Sequence, residues 1–255
     1  MSGRLFPVPR VLCFLLASLA LAAPRETGFL NRRIEVHGDT FRYQVYVPAE
    51  WSKARKWPLI LFLHGAGERG DDGLAQTQVG IGAAIRFHAS RFPAVVVMPQ
   101  CRKGVWRTDP RMEAQVLAIL ARSLKEFRAD PARVYLTGLS MGGYGTLALG
   151  AKHPGRFAAL GAVCGGVVRP RETPQGDPYG DAARKIGKTP VWLFHGDADS
   201  VVPVTESRKM NGALKAAGGD VRYTEYPGVN HNSWDKAYAD PDFIAWLLAQ
   251  RLGSR

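Results

Sequence analysis

Hydrophobic residues follow two different patterns along this chain. In segments 32–37 and 41–47, polar and apolar residues alternate, which is typical of antiparallel strands with one exposed face at the edge of a sheet. Later apolar runs are short and continuous, which indicates strands that are buried on both faces. We predict strands at these runs, 58–63, 94–98, 134–137, 158–163 and 191–194, and a further strand at 221–226.

Segments with the 3.6-residue periodicity of helices lie between these strands. They include residues 111–127, 141–152, 205–217 and 242–252. Strands that alternate with helices form a mostly parallel central sheet with helices on both faces, so we predict the α/β fold class. Ligands bind such sheets at the carboxyl ends of the strands, and the residues that follow each strand are therefore where chemistry is expected.

Residues 1–23 differ from the rest of the chain. Two arginines precede an uncharged apolar run, and the Ala-Leu-Ala sequence at 20–22 fits the cleavage site of a secretory signal peptide. The run is shorter than the roughly 20 apolar residues that span a bilayer. Residues 24–255 contain no repeat or low-complexity linker. We therefore predict a signal peptide over 1–23, a single domain over 24–255 without stable membrane insertion, and secretion or export to the periplasm.

The composition is that of a folded domain, since 46% of the 255 residues are hydrophobic and 22% are charged. The formal net charge of +12 becomes +10 without Arg4 and Arg10, so the basic excess belongs to the domain. The Lys and Arg residues are dispersed rather than concentrated among aromatics, which argues against a nucleic-acid partner. Outside the signal peptide, Cys101 and Cys164 either form one disulfide or remain as buried thiols.

A serine flanked by glycines follows the predicted strand 134–137. Residues 138–143 read GLSMGG, which is G-x-S-x-G in the strand, turn and helix context of a nucleophile elbow. Glycines are needed there because the turn strains the serine backbone and leaves no room beside it for a Cβ atom. We predict that Ser140 is a nucleophile; the alternative is a glycine-rich turn with a helix-capping serine.

A nucleophilic serine needs a histidine base that is oriented by a carboxylate, and here the expected chain order is serine, acid, histidine. Of the six histidines, only His231 follows an acid candidate at the end of a strand. Two acids, Asp197 and Asp199, follow the strand before it. The pattern H-G-x-x-D-x-x-V favours Asp199, and we expect Asp197 to turn the loop or to contact its own backbone.

The segment 64–70, HGAGERG, contains G-x-G-x-x-G directly after a strand. No helix is predicted to open at its third glycine, and no acidic residue lies about 20 positions further on, so the segment does not fit a dinucleotide site. We interpret it as an oxyanion loop, in which the backbone N–H groups of Ala66 and Met141 bind the negative oxygen of a tetrahedral intermediate. Gly67 is the alternative to Ala66.

Four more residues that follow strands are expected to support this site. Trp106 and Trp234 are each either a wall of the substrate pocket or a packing residue, and Trp234 lies three residues past His231. His64 and His195 directly follow strands and are expected to brace their loops. The chain has no HExxH, C-x-x-C or P-loop sequence, so no metal or organic cofactor is predicted.

The segments LHGAGERGDD, MPQC, GLSMGGYGT, HGDADSVVP and YPGVNHNSWD, in this order, resemble the α/β-hydrolase superfamily. More narrowly, the chain resembles the secreted carboxylesterase and phospholipase-like group that includes feruloyl esterases, polyhydroxybutyrate depolymerase relatives and dienelactone-hydrolase-like proteins. The resemblance implies an open site with a minimal cap or none, since only about two dozen residues, 166–189, lie where some relatives carry a large cap. It assigns the nucleophile, acid and base to Ser140, Asp199 and His231, and the oxyanion donors to Ala66 and Met141.

The resemblance also implies acyl transfer through a covalent ester on Ser140. The expected activity is hydrolysis of carboxylic esters, with polysaccharide-linked, small aromatic or short-chain esters as candidate substrates. A serine peptidase of the prolyl-oligopeptidase kind would share the elbow, acid and base, but such peptidases usually carry a large second domain. A second alternative is an inactive protein of the same fold that binds an anionic polymer through its basic surface.

Overall fold

The computed structural model describes residues 26–253, and the predicted signal peptide lies outside them. The strands of this part of the chain are β1 (Gly28–Val36), β2 (Asp39–Val47), β3 (Trp57–Leu63), β4 (Val95–Pro99), β5 (Ala129–Leu139), β6 (Ala159–Val163), β7 (Val191–Gly196) and β8 (Val221–Tyr226). The α-helices are α1 (Ile81–His88), α2 (Pro110–Glu126), α3 (Met141–Lys152), α4 (Pro178–Ile186), α5 (Thr205–Ala216), α6 (Trp234–Ala239) and α7 (Pro241–Ala249).

All eight strands form one sheet in the order β1-β2-β4-β3-β5-β6-β7-β8. The pairs β1–β2 and β2–β4 are antiparallel, and every other neighbouring pair is parallel. The predicted α/β fold class is therefore confirmed, with the antiparallel strands at one edge. Because β3 and β5 to β8 are parallel, the loops that follow them meet at the same edge of the sheet.

The core consists of two main layers, one on each face of the sheet. Strand β3 is buried at every position, and its side chains alternate between the layers. Leu59 and Leu61 pack with residues of α2, α3 and α5, whereas Ile60 and Phe62 pack with residues of α1, α6 and α7. The continuous apolar run thus supplies both layers, which is why it lacks the alternation seen in β1.

The structure differs from the sequence prediction in the extent of some elements. Strand β5 begins at Ala129 rather than 134, because the polar stretch ADPAR joins the sheet through backbone pairing of Ala129 with Trp57. Within the segment 166–189, the cap position of some relatives, the only α-helix is α4, whose N-terminus is capped by Asp177. Among residues 26–253, no helix is long and apolar enough to cross a membrane.

Candidate active site

Ser140 lies at the sharp turn between β5 and α3. Its backbone has φ 51° and ψ −119°, a left-handed φ that residues with a side chain rarely adopt. The flanking glycines are required by close backbone contacts. A Cβ atom on Gly142 would lie 1.9 Å from the carbonyl oxygen of Leu63, and one on Gly138 would lie 2.4 Å from the carbonyl oxygen of Gly142. The strained elbow predicted from GLSMGG is present.

We expect Gly142→Ala to lower the free energy of unfolding by at least about 3 kcal/mol, because the new methyl group meets backbone that cannot move aside. Gly212→Ala is the matched control, since Gly212 lies inside α5 and its new methyl group would have no atom within 4 Å. It should raise stability by about 0.5–1 kcal/mol. Urea unfolding of both variants measures the difference, and equal effects would contradict the proposed backbone clash.

The structure brings Ser140, His231 and Asp199 into one hydrogen-bonded line. His231 Nε2 lies 2.9 Å from Ser140 Oγ, and His231 Nδ1 lies 2.8 Å from Asp199 Oδ2. Because an ionised carboxylate can only accept, Nδ1 carries the proton and donates it to Asp199. The lone pair of Nε2 is then directed at the serine hydroxyl. This arrangement can withdraw a proton from Ser140 and hold the resulting imidazolium against a negative charge.

The carboxylate of Asp199 is fully buried and accepts several hydrogen bonds. Its Oδ1 atom accepts from the backbone N–H groups of Val201 at 2.8 Å and Val202 at 2.9 Å. Its Oδ2 atom lies 3.2 Å from Nε2 of His195 in addition to the bond from His231. Burial alone would raise the pKa of Asp199, but these hydrogen bonds outweigh it and hold the pKa well below the usual range. Asp199 therefore stays ionised.

The competing acid, Asp197, has a different environment. Its Oδ1 atom accepts a hydrogen bond of 2.7 Å from the backbone N–H of Gly228. The sequence suggested a turn within its own loop, but this contact crosses to the loop that carries His231. Asp197 therefore ties the acid loop to the base loop, while its carboxylate takes no part in the line from Ser140.

Asn230, which the sequence did not single out, and His195 also position these loops. Asn230 Oδ1 accepts hydrogen bonds from the backbone N–H of Ser200 at 3.0 Å and of His231 at 2.7 Å. His195, expected only to brace its loop, contacts both Asp199 and the carbonyl oxygen of Val202, which lies 3.0 Å from its Nε2 atom. An asparagine beside the predicted base was the available signal, since its side chain readily bonds nearby backbone.

The predicted oxyanion loop lies beside Ser140. A Cβ atom on Gly65 would be 3.6 Å from Cβ of Ser140, and Ala66 is exposed at the loop surface. Met141 is the first residue of α3, so its N–H is one of the unbonded donors at the start of that helix. The buried Gln100 was not predicted; its Nε2 donates to the carbonyl oxygen of Glu68 in this loop at 3.1 Å, and its Oε1 accepts from the N–H of Gly73 at 2.7 Å.

The two predicted pocket tryptophans line two different cavities. Trp234 packs edge-on against the His231 ring, with centroids 5.3 Å apart, and lines a cavity of about 250 Å³ between α1 and α6. Trp106 packs against the buried cluster that contains Met141 and, edge-on, against Tyr144 with centroids 5.9 Å apart. It lines a cavity of about 400 Å³ with Arg169. Both tryptophans combine packing contacts with an accessible cavity wall.

Both cysteines of the described residues are buried free thiols, so the disulfide alternative is not realised. Cys164, Asp199 and His231 form the one group in residues 26–253 whose potential metal-ligand atoms lie within 4.8 Å of one another. Asp199 and His231 are already bonded to each other. Burial raises the pKa of the Cys164 thiol, which therefore does not supply the thiolate that a metal prefers. These residues fit a proton relay better than a metal centre.

The chain is similar to known esterases in sequence and in structure. The sequence model of the family described as Phospholipase/Carboxylesterase matches residues 99–244. "Putative esterase NocK" of Nocardia uniformis subsp. tsuyamanensis is 28% identical over 179 residues, which cover 68% of this chain and 49% of NocK. "Acyl-protein thioesterase 1" of Gibberella zeae is 29% identical over 103 residues, 40% of this chain and 43% of that protein.

Among solved structures, the crystal structure of a thermostable esterase is similar to this chain with a TM-score of 0.74 and 34% sequence identity. The match covers 88% of this chain and 63% of the esterase. The chain thus spans about half the length of the two curated relatives and somewhat under two thirds of the solved one.

Proposed function

The chain belongs to the phospholipase/carboxylesterase family of the α/β-hydrolase superfamily, and we propose that it hydrolyses carboxylic esters as a serine hydrolase. The observation that carries the proposal is the hydrogen-bonded line from Ser140 through His231 to Asp199. It lies at the carboxyl edge of the sheet beside a loop that can supply backbone N–H donors. The esterase names of the relatives support the same activity.

In the proposed mechanism, Ser140 Oγ attacks the ester carbonyl while His231 Nε2 takes the hydroxyl proton. The carbonyl oxygen becomes an oxyanion, and the N–H groups of Ala66 and Met141 bind it. His231 then returns the proton to the departing alcohol, which leaves an acyl ester on Ser140. Water, activated by the same histidine, hydrolyses that ester and regenerates the serine. Asp199 holds the imidazole in the required tautomer throughout.

The proposed substrates are small aromatic, short-chain or polysaccharide-linked esters. Two cavities support this proposal: Trp106 lines one of them, and the other is lined by Trp234, which packs against the His231 ring. The segment 166–189 contributes one helix rather than a large cap, which supports access for bulky substrates.

We also propose that the protein is secreted or exported to the periplasm, because residues 1–23 have the pattern of a signal peptide. N-terminal sequencing of the exported protein tests this proposal.

An ester panel with one amide arm tests the function. The purified protein should hydrolyse p-nitrophenyl acetate, p-nitrophenyl butyrate or methyl ferulate and should be labelled by a fluorophosphonate, whereas Ser140→Ala should do neither. A peptide amide of the type that prolyl oligopeptidases cleave is the comparison substrate, and a thioester arm addresses the named activity of the Gibberella relative. Amide cleavage without ester cleavage would overturn the proposal in favour of a peptidase, and absence of labelling would favour a binding protein.

A further inference from the structure

His64, which the proposed reaction does not itself use, is held by two hydrogen bonds whose directions are determined. The side chain is fully buried behind the oxyanion loop. Its Nε2 atom accepts from the backbone N–H of Cys101 at 2.8 Å, and its Nδ1 atom lies 2.6 Å from the carbonyl oxygen of Gly65. Since an N–H can only donate and a carbonyl can only accept, Nε2 is unprotonated and Nδ1 carries the proton.

The surroundings keep His64 in this neutral form. Burial and the positive charges of Arg107 and Arg69 hold its pKa well below the usual range. The nearest carboxylate is that of Glu68, whose Oε2 atom lies 3.9 Å from Nδ1, beyond a hydrogen bond. Nε2 therefore stays unprotonated and accepts from Cys101, and the single ring proton stays on Nδ1, from where it is donated to Gly65.

This bond acts on the peptide group that contains the proposed oxyanion donor. The carbonyl of Gly65 and the N–H of Ala66 belong to one planar trans peptide, so they point in opposite directions. Anchoring the carbonyl towards the protein interior therefore turns the N–H of Ala66 outwards. Ala66 is exposed, and the loop passes beside Ser140, where a carbonyl oxygen would become an oxyanion.

The neighbouring peptide has a weaker anchor. Its carbonyl, that of Ala66, accepts a hydrogen bond of 2.9 Å from Nε of Arg69, and this contact is solvent-exposed. The N–H on that peptide belongs to Gly67, the alternative donor. A buried neutral histidine with both ring nitrogens bonded restricts a peptide plane more than an exposed arginine does, because water competes for the exposed bond.

We propose that His64 is a positioning residue that aims the N–H of Ala66 into the oxyanion hole by holding the carbonyl of Gly65. The proposal rests on the proposed esterase function and goes beyond it, because it names the contact that selects Ala66 rather than Gly67 as the loop donor. It also gives His64 a role in binding the transition state, whereas bracing would only hold the loop in place.

Two substitutions of His64 separate its two hydrogen bonds. His64→Asn keeps an N–H near the position of Nδ1, whereas His64→Gln keeps an acceptor near Nε2 and loses the donor to Gly65. We expect kcat of His64→Gln to fall about 100-fold, the usual loss for one oxyanion-hole donor, with KM changed less than about threefold. His64→Asn should recover activity to within about tenfold of the wild type, and Arg69→Gln should stay within about threefold.

The readout that separates positioning from general support is the affinity for a transition-state analogue. Binding of a trifluoromethyl ketone should weaken in His64→Gln by the same factor as kcat/KM, while KM and the melting temperature stay near those of the wild type. Ala66→Pro, which removes the N–H itself and leaves His64 in place, should lose as much activity as His64→Gln and serves if the latter does not fold.

Three results would overturn the proposal. The first is an undiminished analogue affinity in a folded His64→Gln variant or in Ala66→Pro. The second is a larger loss in Arg69→Gln than in His64→Gln, which would assign the donor to Gly67. The third is a decrease in the activity of His64→Gln that is accompanied by a comparable rise in KM and by a lower melting temperature, as a purely structural role predicts. Failure of the esterase proposal is distinguishable from all three, because the wild type itself would then neither cleave esters nor bind the analogue.

Discussion

Replacement of Ser140 by alanine is expected to lower kcat for ester hydrolysis by roughly 10⁵- to 10⁶-fold, because the covalent step and the work of His231 are lost together. Substrate binding should change little, since the cavities and the oxyanion loop remain. The measurement is kcat and KM on the best ester of the panel, together with labelling by a fluorophosphonate. A decrease of less than about 100-fold would contradict the assignment of Ser140 as the nucleophile.

Two further serine variants make this result specific. Ser123→Ala removes a buried hydroxyl within α2 and should leave kcat within about twofold. Ser140→Gly should lose as much activity as Ser140→Ala. Its free energy of unfolding should be about 1 kcal/mol higher than that of Ser140→Ala, because glycine adopts the φ of 51° at little cost. Equal stability of the alanine and glycine variants would show that the elbow is not strained.

Asp199→Asn is expected to lower kcat by roughly 10⁴-fold. An asparagine amide can present its own N–H to His231, and the imidazole then adopts the tautomer in which Nε2 carries the proton and accepts none from Ser140. Stability should also decrease, since the backbone N–H groups of Val201 and Val202, which donate to Asp199, lose a charged acceptor. The measurements are kcat on the best ester of the panel and the free energy of unfolding in urea.

Asp197→Asn is the matched control for this prediction. It lies in the same loop, and its amide oxygen still accepts from the N–H of Gly228. We expect kcat to stay within about threefold of the wild type. If Asp197→Asn lost more activity than Asp199→Asn, the acid would have to be reassigned despite the hydrogen bond between Asp199 and His231.

Much of the site could be predicted because its requirements are local. The turn at Ser140 needs glycines within two residues on either side, since the backbone of β3 lies against Gly142. The acid and base follow strands whose continuous or β-rich patterns can be recognised, and the carboxyl ends of parallel strands meet at the same edge. The three side chains that form the hydrogen-bonded line were therefore identifiable before their distances were known.

Other features depend on residues that are distant in the chain. The start of β5 at Ala129 has no apolar run to signal it and results from pairing with Trp57. Whether Cys101 and Cys164 pair could not be deduced from the even count of cysteines outside the predicted signal peptide, and the fold holds them as separate buried thiols. The contact of Asp197 with the base loop crosses 31 positions, which no local turn pattern predicts.

The sequence by itself determined the fold class, the strained serine turn and the order of the candidate groups, because periodicity and turn chemistry act over a few residues. Only the tertiary structure decided which carboxylate faces His231 and which nitrogen of His64 carries a proton. Those choices depend on hydrogen-bond partners brought together from separate strands, such as Cys101, which lies 37 positions from His64 and fixes its tautomer. Spatial contact of this kind is a property of the packed sheet and has no local sequence signal.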